Sequence, residues 1–148
     1  MIFSFRRKKE TAGKTFFDAP GTEEFNLSYQ VAFLQGSGRR KEQQDSFVSV
    51  NHDDVVAIKH RGLLAVVADG MGGMAGGKDA SETVVRTLAQ AFEKMEMETD
   101  IPRQLCDAVV SAGEDVYEKL VENGGSTVVA CICYDEALYF ASVGDSCL

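Results

Sequence analysis

The stretch from Gly62 to Glu82, GLLAVVADGMGGMAGGKDASE, decides the fold, because an apolar run ends there on an aspartate followed by a glycine-rich turn. Leu63 to Ala68 have the length and composition of a buried strand, and Asp69 stands where this strand would emerge. A lone carboxylate at a buried strand end is costly, which indicates a cation as its partner. The glycines between Gly70 and Gly77 let the backbone turn tightly and approach whatever Asp69 binds.

The composition is that of a globular protein with its own hydrophobic core. The chain has 148 residues, 45% of them hydrophobic, and a net charge of −8. This length predicts one domain that needs no disulfide or structural metal. The negative charge disfavours non-specific binding to nucleic acid or anionic lipid. The four cysteines show no zinc or disulfide spacing, and Cys131 and Cys133 are predicted to share one face of a strand.

The N-terminal segment differs from the rest of the chain. Met1 to Phe5 are too short an apolar run for a signal peptide and are followed by the basic residues Arg6 to Lys9. No apolar run reaches the 18 residues expected of a membrane span. We therefore expect a mobile basic leader over residues 1–24, a folded region over residues 25–148 and a cytoplasmic location.

The order of predicted elements favours an α+β fold with antiparallel sheet over alternating parallel units. Apolar residues recur at helical spacing from Ala80 to Met95 and from Leu105 to Leu120, with Asp100 as a predicted N-cap. Asn123 to Gly125 should end the second helix. The predicted strands are Leu27–Leu34, Ser46–Val50, Leu63–Ala68, Ser126–Cys133 and Ala137–Val143, with a polar hairpin connection over Asn51–Arg61.

Two nucleotide-binding patterns overlap the glycine turn. Gly72 to Lys78 fit the P-loop pattern G-x-x-x-x-G-K, but the next residue is Asp79, which lacks the hydroxyl for magnesium and would repel phosphate. Gly70 to Ala75 fit a loosened dinucleotide pattern. This pattern is weak, and strands followed by helices do not form the βαβ unit that it requires. Both interpretations are disfavoured.

Three acids, Asp45, Asp69 and Asp145, are predicted to lie at strand ends. Hard oxygen ligands of this kind suit magnesium or manganese. Arg40, five residues before Asp45, could add a planar guanidinium for a phosphate. Together these residues suggest metal-assisted attack of water on a phosphoester. Each acid taken alone could instead be a turn or cap residue.

Four motifs, taken in order, resemble those of the metal-dependent protein phosphatase 2C family of protein serine/threonine phosphatases, closest to its bacterial branch. They are RKEQQDSF at Arg40–Phe47, VVADGMGGMAGGKDASE at Val66–Glu82, GGSTVVA at Gly124–Ala130 and VGDS at Val143–Ser146. The resemblance implies a β-sandwich of two antiparallel sheets flanked by helices. It also implies a site with two Mn²⁺ or Mg²⁺ ions, and a third as an accessory ion, that hydrolyses phosphoserine and phosphothreonine in proteins.

The resemblance also assigns roles to individual residues. Asp69 matches the carboxylate that bridges both metals, and Gly70 matches the residue whose carbonyl binds one of them. Asp45 matches the acid that supports metal-bound water, Arg40 the arginine that holds substrate phosphate, and Asp145 an acid near the accessory metal. Phosphoproteins and an opposing serine/threonine kinase are the implied partners.

The sequence departs from the family pattern in three places. Gln44 stands where many relatives have glutamate, and Cys147 replaces an arginine that commonly follows GDS. The sequence ends at Leu148, about halfway through the family's catalytic domain, so the later DG and DN aspartates have no counterpart. We therefore expect these 148 residues to be inactive alone and active within a longer chain. The alternative is a short pseudophosphatase or binding module without catalysis.

Overall fold

A computed structural model describes residues 31–36, 42–71, 76–121 and 123–146. The chain divides after Leu34 into two units, and every helix and strand below belongs to the second unit, Gln35–Leu148. In chain order, the elements are β1 Asp45–Val50, α1 Val55–Arg61, β2 Leu63–Asp69, α2 Gly77–Lys94, α3 Ile101–Leu120, β3 Val128–Tyr134 and β4 Ala137–Val143.

The four strands form one antiparallel sheet in the order β1-β2-β3-β4. Because neighbouring strands run in opposite directions, the start of β1, the end of β2, the start of β3 and the end of β4 lie at the same end of the sheet. We call this the Asp69 end. The connections of the chain therefore bring residues of four separate sequence motifs to one place.

The hydrophobic core lies between one face of this sheet and the two long helices. Alternate residues of β2, such as Leu64 and Val66, pack with Leu88 and Phe92 of α2 and Leu105 of α3. All five side chains are buried. Full burial of a side chain of this size stabilises the fold by about 1.5–3 kcal/mol. This core holds the sheet and α2 together, and with them the residues at the Asp69 end.

The two long helices begin and end close to their predicted positions. The Asp100 carboxylate caps α3 by accepting a hydrogen bond from the Arg103 amide at 3.1 Å, as predicted. The end of α3 differs from the prediction by a few residues, because Val121 adopts a left-handed conformation with φ 44° directly after Leu120. The Arg61 guanidinium donates to the Phe92 carbonyl at the end of α2, at 2.7 Å.

The prediction of a polar hairpin connection over Asn51–Arg61 was wrong. Most of that segment is the helix α1, whose N-cap Asp54 accepts hydrogen bonds from the Val56 and Ala57 amides at 2.9 Å. The helix is short and buries only Ile58, so its periodic signal is weak. Gly62 ends it with φ 73°, where a Cβ would lie 2.4 Å from the Cys133 carbonyl oxygen.

The α+β class and the antiparallel sheet are confirmed, whereas the first predicted strand is not. Residues 31–34 of the predicted strand Leu27–Leu34 form no strand, and residues 27–30 lie outside the described residues. The sandwich's second sheet is not among the elements in the described ranges. Cys131 and Cys133 share a strand face and are buried, as predicted. None of the helices in the described ranges is long and apolar enough to cross a membrane.

Candidate active site

Asp45 and Asp69 are direct partners across the first two strands. Asp45 is the first residue of β1, Asp69 is the last residue of β2, and the antiparallel register pairs their Cα atoms. Directly opposite residues in such a pair have Cβ atoms about 4.5–5.5 Å apart. Both residues are partly buried. The fold therefore brings together two acids that are 24 positions apart in the sequence.

The two carboxylate oxygens of Asp45 differ in their contacts with the described residues. Oδ2 accepts a hydrogen bond from Gln43 Nε2 at 3.2 Å. Among the described residues, Oδ1 has no hydrogen-bond partner although it is buried, and the same holds for Oε1 of the neighbouring Gln44. A buried acceptor without a donor is costly. Such oxygens are suitable ligands for a hard divalent cation, which would contact them directly or through a bound water.

Gly70 lies where β1, β2 and the start of α2 come closest. Its amide donates to the Gln44 carbonyl at 3.2 Å, which extends the strand pairing by one residue. A Cβ at Gly70 would lie 2.2 Å from the Gly77 carbonyl oxygen and 2.7 Å from that of Gln44. Only glycine fits this approach of three backbone segments. Gly70 thus allows the end of β2 to pack against the first turn of α2.

Three polar side chains connect α2 to the start of β1. Lys78 Nζ donates to the Asp45 carbonyl and to Ser46 Oγ, at 3.1 Å each. The fully buried Ser81 donates to the Gln44 carbonyl at 2.6 Å and shares a hydrogen bond with Ser46 Oγ at 2.8 Å. These contacts hold the backbone carbonyls of Gln44 and Asp45 and the side chain of Ser46. The sequence did not indicate this role, because Lys78 stands out there only as part of a P-loop pattern.

The GGST motif holds the backbone of Asp69 from the other side. The Thr127 amide and the Ser126 hydroxyl donate to the Asp69 carbonyl at 2.9 and 3.0 Å. The Asp69 amide in turn donates to Thr127 Oγ1 at 3.3 Å. The motif was recognised from the sequence, but no role could be assigned to its two hydroxyl groups. These hydroxyl groups reach Asp69 because β2 and β3 pair side by side in the sheet.

Asp145 lies in an exposed turn directly after β4, at the same end of the sheet. The residue that follows it, Ser146, shares a hydrogen bond with Thr127 between the two hydroxyl oxygens at 2.7 Å. Gly144, with φ 99°, packs against the Thr127 side chain, where a Cβ would lie 2.8 Å from Cγ2. The turn that carries Asp145 is therefore attached to Thr127.

The structure places four of the five predicted site residues at the Asp69 end. These are Asp45, Asp69, Gly70 and Asp145, while Arg40 lies outside the described residues. Within the ranges that the structure describes, no group of three or more His, Cys, Asp or Glu side chains is close enough to hold a metal ion. The described carboxylates therefore offer a pair, Asp45 and Asp69, rather than a closed ligand set.

The two buried cysteines of β3 are unsuited to chemistry at this site. Burial raises the pKa of the Cys131 thiol. Burial, reinforced by the neighbouring Cys131, raises the pKa of the Cys133 thiol from 9.0 to about 11. Both thiols therefore stay protonated at neutral pH, whereas a nucleophile or a metal ligand must be a thiolate. Cys133 also pairs with Leu63 at the start of β2, at the end of the sheet opposite Asp69.

The chain resembles characterised protein phosphatases in both sequence and structure. A bovine integrin-linked kinase-associated serine/threonine phosphatase 2C is 29% identical over 137 residues, which cover 82% of this chain and 36% of that protein. The crystal structure of the Mycobacterium tuberculosis serine/threonine phosphatase PstP/Ppp matches with a TM-score of 0.57 and 27% identity, over 72% of this chain and 43% of that one. The Mycobacterium smegmatis phosphatase MsPP, solved with cacodylate, matches with a TM-score of 0.56 and 27% identity, over 72% and 41%.

The chain thus spans less than half the length of each of these relatives. The family model described as protein phosphatase 2C matches residues 38–148, which include all four motifs at the Asp69 end of the sheet. From this match and the shared fold, we conclude that the chain belongs to the protein phosphatase 2C family.

Proposed function

We propose that the full-length protein hydrolyses phosphoserine and phosphothreonine in other proteins with the help of bound Mn²⁺ or Mg²⁺. One observation carries this proposal: the strand register pairs Asp45 with Asp69, and buried oxygens of Asp45 and Gln44 have no hydrogen-bond partner in the described part of the chain. Oxygen-only sites with few carboxylates suit these two ions, which keep several of their waters.

Each residue would have a distinct task. Asp69 would bridge two ions, the Gly70 carbonyl would bind one of them, and Asp45 would orient water at the site. Bound ions supply a water of lowered pKa and neutralise charge on the phosphoryl oxygens. Asp145 would serve an accessory ion. Arg40 would hold the substrate phosphate through its planar guanidinium.

The substrates and partners are proposed on the family relationship. The relatives are named as serine/threonine phosphatases, and MsPP was solved with cacodylate, an oxyanion. We propose phosphoproteins as substrates and an opposing serine/threonine kinase as a partner. We further propose that the protein acts in the cytoplasm.

The proposal can be tested with the full-length protein and a phosphothreonine peptide. Hydrolysis should require Mn²⁺ or Mg²⁺ and stop when a chelator is added. Asp69→Asn removes the charge of the carboxylate that is proposed to bind both ions, and should lower the rate of hydrolysis by at least about 100-fold. Mutation of a residue that only orients a metal ligand typically costs less than this. Asp107→Asn is the matched control, because Asp107 is an exposed acid on α3 whose carboxylate lies 3.9 Å from the Arg103 guanidinium. It should leave the rate unchanged.

One structural observation keeps a second function open. In the described ranges no third carboxylate joins Asp45 and Asp69, because no group of three His, Cys, Asp or Glu side chains is close enough to hold a metal ion. A protein with that site alone would bind phosphoproteins without hydrolysing them, as a pseudophosphatase or binding module. If the wild-type protein binds the phosphopeptide but shows no metal-dependent hydrolysis, the binding module is correct and the phosphatase proposal is wrong.

A further inference from the structure

Thr127 connects the two acidic positions of the site, although it carries no charge itself. Its side chain is buried, with 8% exposure, between the end of β2 and the turn after β4. Oγ1 accepts a hydrogen bond from the Asp69 amide and shares another with Ser146 Oγ. A single hydroxyl group thus lies between the residue proposed to bridge the metals and the residue next to Asp145.

On the Asp69 side, Thr127 holds the backbone at both of its polar groups. The Thr127 amide donates to the Asp69 carbonyl at 2.9 Å, and the Asp69 amide donates to Thr127 Oγ1 at 3.3 Å. A residue held at its amide and its carbonyl has little freedom in φ or ψ. Thr127, together with the Ser126 hydroxyl on the same carbonyl, therefore restricts the direction in which the Asp69 side chain leaves the strand.

On the Asp145 side, the contact involves both halves of the Thr127 side chain. The hydroxyl is 2.7 Å from Ser146 Oγ, and the methyl packs against Gly144, where an added Cβ would lie 2.8 Å away. A threonine hydroxyl that accepts one hydrogen bond can donate its own proton to another oxygen. The residues on either side of Asp145 are therefore both in contact with Thr127.

We propose that Thr127 is a positioning residue that fixes Asp69 and Asp145 relative to one another for binding metal ions. This inference rests on the proposed function, and it adds a residue that would touch neither metal nor substrate. Residues that orient metal ligands through hydrogen bonds, without touching the metal, typically contribute about 10–100-fold to metal affinity. Loss of the Thr127 hydroxyl should therefore weaken metal binding although every carboxylate remains.

The test compares three threonine variants of the full-length protein by calorimetric titration with Mn²⁺. Thr127→Val keeps the size of the side chain but removes the hydroxyl, and should weaken Mn²⁺ binding by about tenfold. Thr127→Ser restores the hydroxyl and should recover the affinity. Thr87→Val is the matched control, because the Thr87 hydroxyl bonds Asp115 at 2.6 Å on the surface between α2 and α3. It should bind Mn²⁺ like the wild type.

The outcomes separate this inference from the proposed function. If wild-type protein binds no Mn²⁺, the proposed function is wrong. If wild-type protein binds Mn²⁺ and Thr127→Val binds it equally well, the positioning role is overturned and the phosphatase proposal stands. If Thr127 were merely structural, Thr127→Val would lower the unfolding midpoint without changing the affinity for Mn²⁺.

A second variant tests the Asp145 side and still applies if Thr127→Val does not fold. Ser146→Ala removes the partner of the Thr127 hydroxyl from the turn. In an otherwise wild-type protein, Ser146→Ala should weaken Mn²⁺ binding. In a protein that already carries Asp145→Asn, it should cause no further loss of Mn²⁺ affinity, because Ser146 acts by positioning Asp145. An equal loss in both backgrounds would contradict the proposed connection.

Discussion

Replacing Gly70 with alanine tests the close packing at the Asp69 end of the sheet. The added Cβ would lie 2.2 Å from the Gly77 carbonyl oxygen and 2.7 Å from the Gln44 carbonyl oxygen. Both obstructing atoms belong to the backbone, so no side-chain rotation can relieve the overlap. The start of α2 and the start of β1 would both have to move away from β2, the former by about 1 Å, to restore ordinary contact.

The energetic cost follows from what must move. Overpacking a core in which side chains can adjust costs about 1–3 kcal/mol. Because only backbone can yield at Gly70, we expect the free energy of unfolding to fall by about 3 kcal/mol, the upper end of that range. For a urea dependence of about 2 kcal/mol per M, the unfolding midpoint should fall by about 1.5 M.

The assay is urea denaturation of the full-length protein, with Gly113→Ala as the matched control. Gly113 is exposed within α3, and an added Cβ there would meet no atom within 4 Å. Alanine is the better helix former, so this variant should be more stable by about 0.5–1 kcal/mol. If the free energy of unfolding of Gly70→Ala lies within about 0.5 kcal/mol of the wild-type value, the close approach at Gly70 is refuted.

Two further predictions concern stability. Asp100→Ala removes the side chain that accepts the Arg103 amide at the start of α3, and should lower the free energy of unfolding by about 1 kcal/mol in the same urea assay. An unchanged midpoint would show that this cap contributes nothing. Because burial raises the pKa of the Cys133 thiol from 9.0 to about 11, the folded protein keeps this proton over a pH range in which the unfolded chain loses it. Stability should therefore fall as pH rises from 9 to 11, and Cys133→Ala should reduce that slope; an unchanged slope would contradict the raised pKa.

The elements that could be predicted from sequence are those with strong local signals. The uninterrupted apolar run of β2 indicates a buried strand, and the periodic pattern of α3 with its N-cap indicates a helix. The helix α1 was missed because it buries only Ile58, and its N-cap Asp54 was taken for part of a polar connection. A short helix of this kind is stabilised by its surroundings more than by its own pattern.

The candidate site was predicted as a set of residues but not as an arrangement. Asp45, Asp69, Gly70 and Asp145 were identified through motifs that resemble a known family. The contacts that support them could not be predicted, because Lys78 and Thr127 have no chemistry of their own that singles them out. Their roles depend on pairing between residues far apart in the chain, such as Asp69 with Thr127.

The family, the fold class and the acids of the candidate site could be inferred from the sequence alone, because these inferences depend on residue types at short spacing. The glycine-rich turn after Asp69 was sufficient to indicate a strand that delivers a carboxylate to a tight turn. Only the tertiary structure decided that Asp69 faces Asp45 and is held by Thr127, which also holds the Asp145 turn. Antiparallel register sets these distances, and register is a property of the packed sheet rather than of any one strand.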